Sequence, residues 1–112
     1  MAKEKEHARC IRELNDSFRS TFTGGRVLIT PGIDALPSDV QAIILRRVAT
    51  FSEFTDGNDP YGEHDFGSFH VAGRHVFWKI DYYDHRMEGG SEDPSDPHKT
   101  QRVLTIMLAS EY

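Results

Sequence analysis

Hydrophobic residues recur at three- and four-residue steps in two segments of the chain, a spacing that predicts amphipathic helices. The first segment spans residues 6–22, and its apolar stripe consists of Ala8, Ile11, Leu14, Phe18 and Phe22. The second begins after Pro37, where a helix-start proline coincides with the Ser38-x-x-Gln41 capping pattern. Its inner face is predicted to contain Val40, Ile43, Ile44, Val48 and Phe51.

Alternation of apolar and polar residues predicts a β-hairpin in the second half of the chain. A two-residue turn at positions 72 and 73 sets its register. The predicted pairs are Val71 with Arg74, Phe69 with Val76 and Gly67 with Trp78. Parity then assigns one face to the core, with Phe69, Val71, Val76, Trp78, Ile80 and Tyr82. The opposite face receives Phe66, His70, His75, Phe77, Lys79, Asp81 and Tyr83.

Residues 26–30 form a short segment rich in β-branched residues, which indicates a strand. Residues 102–109 fit a helix or a strand by hydrophobicity, and Val103, Thr105 and Ile106 favour a strand. Residues 85–101 lack a hydrophobic period and contain glycine and proline, so they predict a mobile acidic loop. The order helix, strand, helix, strand, strand, strand predicts a single α+β domain over residues 1–112. We expect an antiparallel sheet of about four strands, with two helices packed on one face.

Composition narrows the class of protein. The single cysteine, Cys10, excludes an internal disulfide. No apolar run reaches the roughly 18 residues of a membrane helix and the first residues are charged, so a cytoplasmic protein without a membrane segment is expected. Residues 52–98 contain three Lys/Arg against eleven Asp/Glu, a net charge of −8. This acidity disfavours direct nucleic-acid binding and favours a partner protein with a basic surface.

Acidic and histidine side chains around the hairpin are the candidates for chemistry. The candidate metal ligands are Asp59, Glu63, His64, Asp65 and Asp81, whose oxygen and imidazole donors suit a divalent ion. The candidate catalytic residues of a metal-dependent hydrolase are Glu63, His64, Asp65 and Asp81, with His64 moving protons. The competing interpretation is that these carboxylates accept backbone hydrogen bonds and shape the loop. The spacing is not diagnostic, and no bound cofactor is expected.

Three strings occur in order along the chain: NDPYGEHDFG, FWKIDYYD and RVLTIMLASEY. Together they resemble the signature of a bacterial family of unknown function whose members are found on plasmids and other mobile elements. The resemblance implies no catalytic residues. It implies a context, because proteins of mobile elements often act on host defence, replication or transfer. The chain departs from the family pattern at Ala72-Gly73, where an Asp-Gly pair is expected.

The leading hypothesis is a non-enzymatic acidic protein of a mobile element that binds a host protein, as a monomer or homodimer. It would be an anti-defence inhibitor, of the anti-CRISPR or anti-restriction type, or a regulator, and would mimic the charge of nucleic acid. The predicted binding residues are Phe66, Phe77, Lys79, Tyr83, Asp59 and Asp84. The alternatives are the hydrolase and an oligomeric scaffold that extends its sheet through the last strand or through residues 26–30.

Overall fold

The computed structural model describes residues 2–112, with side chains from residue 5 onward. Its helices are α1 (Ala2–Thr21), α2 (Pro31–Asp34) and α3 (Ser38–Ala49), and a 3₁₀ turn follows at Ala109–Glu111. Its strands are β1 (Arg26–Ile29), β2 (Phe66–Val71), β3 (Arg74–Tyr83) and β4 (Gln101–Leu108). Within the described part of the chain, no helix combines the length and apolar character that crossing a membrane requires.

The four strands form one sheet in the order β1-β4-β3-β2. Strand β3 is antiparallel to both of its neighbours, β2 and β4, whereas β1 runs parallel to β4. The α+β fold is therefore confirmed, but the expectation of a wholly antiparallel sheet is wrong. A parallel pair requires a long connection, which α2, α3 and the hairpin supply between β1 and β4. Because β4 lies inside the sheet, it offers no free edge for sheet extension.

The predicted hairpin register is confirmed at every pair, including Gly67 opposite Trp78 and His70 opposite His75. The predicted core face is confirmed as well. Five of its six residues are buried, namely Phe69, Val71, Val76, Trp78 and Ile80. They form one core with residues from all three helices and β4, among them Phe18, Ile33, Ile44, Val48, Leu104 and Ile106. The helices thus cover a single face of the sheet.

One residue of the predicted inner face of α3 lies elsewhere. Ile43 remains 50% exposed, whereas Ile44 and Val48 are fully buried. The buried stripe of this helix advances by four residues from Val40, and Ile43 lies about 100° around the helix from Ile44. The sequence pattern could not separate these two adjacent isoleucines.

The start of α3 also differs from the prediction. Pro37 is the N-cap residue, and the Ser38 side chain makes no capping hydrogen bond. The Gln41 amide instead donates to the backbone carbonyls of Asp34, at 3.0 Å, and Leu36, at 2.8 Å. It therefore binds the end of α2 to the first turn of α3.

The loop between β3 and β4 makes specific contacts with the rest of the domain. Gly90 forms an isolated bridge with Tyr83, and the Ser91 hydroxyl lies 2.7 Å from the hydroxyl of Thr100. The Arg102 guanidinium donates to the carbonyl of Pro94. Thr100, which precedes β4, and Arg102 of β4 thus contact the loop, and the mobility of the loop stays a prediction.

The hairpin turn contains a residue in a strained conformation. Ala72 has φ +50° and Gly73 has φ +74°, so both central residues are left-handed, as a type I′ turn requires. An L-residue such as alanine loses roughly 1–2 kcal/mol in this region, whereas asparagine tolerates it.

We expect Ala72→Asn to raise the free energy of unfolding by about 1 kcal/mol, because asparagine relieves part of this strain. Chemical denaturation measures the change. Ala35→Asn is the matched control, since Ala35 is exposed and right-handed at φ −77°. An equal effect at both positions would contradict the explanation.

Candidate functional site

A buried asparagine connects residues 59–65, which we call the acid–histidine loop, to the sheet. Asn15 of α1 is fully buried, and its amide donates to the Glu63 carbonyl at 3.0 Å and to the Tyr82 hydroxyl at 2.8 Å. Its side-chain oxygen accepts a hydrogen bond from Arg102 Nε at 2.8 Å. The Tyr82 hydroxyl in turn donates to Glu63 Oε1 at 2.8 Å. Burial raises the pKa of Tyr82 far above its ordinary value, so the hydroxyl keeps its proton and this donation.

His64 lies between two carboxylates. Its Nδ1 is 2.9 Å from Asp16 Oδ1, and its Nε2 is 3.5 Å from Asp59 Oδ2. Its ring stacks on Phe54 with the centroids 3.7 Å apart, and its backbone is left-handed at φ +54°. Because both ring nitrogens face acids, neither is directed at an open site where it could take a proton from a substrate. His64 therefore connects the loop to α1 through its contact with Asp16.

The five candidate metal ligands are not gathered around one point. Across the described residues, no group of three or more His, Cys, Asp or Glu side chains is arranged to hold a metal ion. The Asp59 carboxylate accepts the backbone amide of His64 and faces its ring. Glu63 accepts the Tyr82 hydroxyl, and Asp81 forms an ion pair with Lys79 at 2.6 Å. Three of the four predicted acids thus have separate partners. The Asp59 carboxylate is nearly buried, and its partner, His64, belongs to the same loop.

The fold disfavours the charged form of the Asp65 carboxyl group. Partial burial raises the pKa of its carboxyl, and the charges of Glu63, Asp59 and Asp81 raise it further. Asp81 of β3 thus lies near Asp65 together with Glu63 and Asp59, which precede Asp65 in the same loop. The acidity of this half of the sequence becomes a local cluster at the start of β2.

We expect Asp65→Asn to stabilise the protein at pH 7. A raised pKa means that the folded state binds a proton more tightly than the unfolded chain, so Asp65 stabilises the fold below its ordinary pKa. This stabilisation is lost as pH rises through the folded-state pKa. The gain from the substitution should therefore shrink as pH falls toward 4, which denaturation at several pH values measures. A gain that does not depend on pH would contradict the assignment.

The sheet face opposite the helices carries an aromatic cluster. The rings of Phe66 and Phe77 are 5.2 Å apart, and Tyr112 packs against them at 6.4 and 5.7 Å. His70 and His75 stack beside the cluster with their centroids 4.2 Å apart. Phe66 and Phe77 are only half-buried, while Tyr112 is 76% exposed.

The same face continues across β4 to β1. The strand register places Lys79 beside Thr105 and Leu28, and Leu28 is 52% exposed. The side chains of Lys79 and Asp81 are each about one-third exposed and pair with each other. We call this surface the open face; its residues with exposed surface include Arg26, Leu28, Phe66, His70, His75, Phe77, Lys79, Asp81, Tyr83, Thr105 and Tyr112. Val103 and Met107 of β4 have the same parity and are buried. Asp84 follows Tyr83 and accepts the amide of Glu88 at 3.1 Å.

Several residues that organise the site were missed from the sequence. They are Asn15, Asp16, Arg19, Tyr82 and Arg102 as hydrogen-bonding groups, and Tyr112 as part of the aromatic cluster. One signal was available for two of them. Asn15 and Arg19 follow Ile11 at four-residue steps, so they occupy positions beside the apolar stripe of α1 and point toward the core.

These features define a small α+β domain with helices on one sheet face and an aromatic, charged surface on the other. Residues 29–111 match the family model described as Protein of unknown function (DUF3768), and the chain belongs to this family. No curated protein and no solved structure matches the chain. The resemblance to a family of unknown function is thus confirmed, while its association with mobile elements stays a prediction.

Proposed function

We propose that this protein is a non-catalytic binding module that docks a partner protein with a basic surface on its open face. The observation that carries the proposal is the aromatic cluster of Phe66, Phe77 and Tyr112 on a sheet face that α1, α2 and α3 leave uncovered. Aromatic residues are enriched at the centres of protein interfaces, where they bury a large area at a low cost in conformational entropy.

The charge beside the open face supports a basic partner. Asp65 is surrounded by Glu63, Asp59 and Asp81, and residues 52–98 have a net charge of −8. Complementary charge accelerates association and selects the partner. The excess of carboxylates in residues 52–98 also disfavours a nucleic-acid partner, because phosphates would be repelled.

The finer proposal concerns the biological role. A partner with a basic surface that normally binds nucleic acid would be blocked by an acidic protein that occupies its groove. This is the mode of action expected of an anti-defence inhibitor or of a regulator carried by a mobile element. Its support is the charge of residues 52–98 together with the motif resemblance.

Affinity capture from a bacterial host lysate tests the proposal when wild type is compared with paired variants. Phe77→Ser and Asp84→Lys alter the open face and its acidic end. Their controls, Ile43→Ser and Asp39→Lys, introduce the same two residue types at exposed positions of α3. We expect a captured protein to be lost with the first pair, retained with the second, and released by salt. No capture, or equal capture by all four variants, would refute it.

A further inference from the structure

A cavity of about 450 Å³ lies between α1, the acid–histidine loop and the loop before β4. It is lined by His7, Ala8, Ile11, Tyr61, Glu63 and Pro94, and we call it the Glu63 cavity. No residue of the open face lines it, so it is a separate feature of the surface. Its volume is sufficient for one long side chain from another molecule.

The walls of the Glu63 cavity are mostly apolar. Ala8 and Ile11 come from one face of α1, Pro94 lies across from them, and Tyr61 leaves 79% of its surface exposed. A large aromatic ring that is so exposed has little to contribute to the core. Such walls suit the alkyl stem of a long side chain, and an aromatic ring attracts a cation at its face.

The carboxylate of Glu63 is oriented before any ligand arrives. Its Oε1 accepts the Tyr82 hydroxyl at 2.8 Å, and its backbone carbonyl accepts the Asn15 amide at 3.0 Å. In the described structure Oε2 accepts no hydrogen bond from a side chain or from the backbone. A fixed carboxylate with a free oxygen needs little reorganisation to bind an incoming donor.

The basic side chains near the cavity already form hydrogen bonds with other groups. His7 Nε2 lies 2.9 Å from Asp93, and Arg102 donates to Asn15 and to the Pro94 carbonyl. Arg12 donates to the Gly62 carbonyl and lines an adjoining cavity with Asp56 and Asp59. Neither His7 nor either arginine forms an ion pair with Glu63.

We propose that the Glu63 cavity takes one cationic side chain, a lysine or an arginine, from the partner protein. The inference rests on the proposed function, since the partner is the source of the cation. The ammonium or guanidinium group would donate to Glu63 Oε2, while its alkyl stem would lie against Ile11 and Pro94 and beside the ring of Tyr61. The cavity would thus add a specific contact to the broad electrostatic attraction of the acidic cluster.

Titration with three small probes tests this binding site without the partner. The probes are n-butylguanidine, n-butylamine and neutral n-butanol, which share a four-carbon chain and differ in the head group. Amide resonances of Ala8, Ile11 and Tyr61, followed by two-dimensional NMR, should shift saturably with a cation and not with n-butanol. Binding by the guanidine alone would identify an arginine site, and equal binding by the amine would include lysine.

Substitution of Glu63 supplies the decisive comparison. Glu63→Gln retains an oxygen that can accept the Tyr82 hydroxyl, but it removes the charge, so the cation should bind about tenfold more weakly. Glu13→Gln is the matched control, because it makes the same change at an exposed position of α1 that does not line the cavity. Tyr61→Ala changes an exposed position and should weaken cation binding several-fold. It is the alternative test if Glu63→Gln does not fold. Equal affinity in these variants and wild type, or no saturable shift, would overturn the proposal.

The outcomes separate this inference from the proposed function. Phe77→Ser should leave n-butylguanidine binding unchanged, since Phe77 does not line the cavity. If cation binding depends on Glu63 but the open-face variants still capture the partner, the cavity proposal stands and the open-face proposal is rejected. Loss of capture in Phe77→Ser with no binding of any probe would retain the open face and reject the cavity.

Discussion

Replacing Asn15 with leucine should lower the free energy of unfolding by about 3 to 5 kcal/mol, because three hydrogen bonds are lost and a buried donor of a charged group is left without its acceptor. Asn15 is fully buried and binds Arg102 Nε, the Glu63 carbonyl and the Tyr82 hydroxyl. Leucine has a similar volume and no polar atom, so the packing changes little while three hydrogen bonds are lost. The Arg102 guanidinium has no carboxylate ion-pair partner, and it would lose the acceptor for its Nε.

Denaturant unfolding measured by circular dichroism tests this prediction. Ser17→Leu is the matched control, because Ser17 is exposed on the same helix and its substitution should change stability by less than about 0.5 kcal/mol. Asn15→Asp retains an acceptor for Arg102 but loses both donors, so its loss should be intermediate. If Asn15→Leu costs no more than the Ser17 control, the network does not stabilise the fold.

Replacing Arg19 with methionine should destabilise the protein by about 2 to 4 kcal/mol, because several hydrogen bonds to a charged group are lost together. Arg19 is only 3% exposed, and its Nη1 donates to the Val48 carbonyl at 2.7 Å and to the Phe51 carbonyl at 3.0 Å. It thus supplies a positive charge where α3 ends, the position at which a cation is most favourable. Methionine preserves most of the volume and none of the donors.

A second effect of Arg19→Met should appear at the acid–histidine loop. Arg19 Nη2 donates to Asp16 Oδ1 at 3.0 Å, and the same carboxylate holds His64. Without Arg19, Asp16 is less well positioned, so amides near His64 should exchange with solvent faster. Arg46→Met, at an exposed position in the last turn of α3, is the control for the loss of charge. Unchanged exchange in Arg19→Met would show that the two contacts are independent.

The hairpin could be predicted from the sequence residue by residue. Its side-chain period is two, and a two-residue turn leaves one register, so the faces of Phe69 and Phe77 follow from local information alone. The aromatic character of the open face was predicted for the same reason. Tyr112 was missed because it lies beyond the last strand, and only the 3₁₀ turn at Ala109–Glu111 brings it over Phe77.

The acid–histidine loop was recognised as a functional candidate, but its interactions were not predictable. Glu63 and His64 are adjacent in sequence, yet Glu63 bonds Tyr82 while the ring of His64 is held by Asp16. The left-handed backbone of His64 directs this divergence, and a list of residue types does not contain it. A metal site and a loop anchor require the same residue types and differ only in where the side chains point.

The sequence by itself determined the amphipathic helices and the hairpin register through local periodicity. Its composition determined the acidity of residues 52–98. The tertiary structure alone decided the parallel pairing of β1 with β4, the burial of Arg102, and the formation of the Glu63 cavity. The physical reason is the range of the interactions. Periodicity and turn chemistry act over a few residues, whereas the bond from Arg102 to Asn15 joins positions 87 residues apart and exists only once the domain has packed.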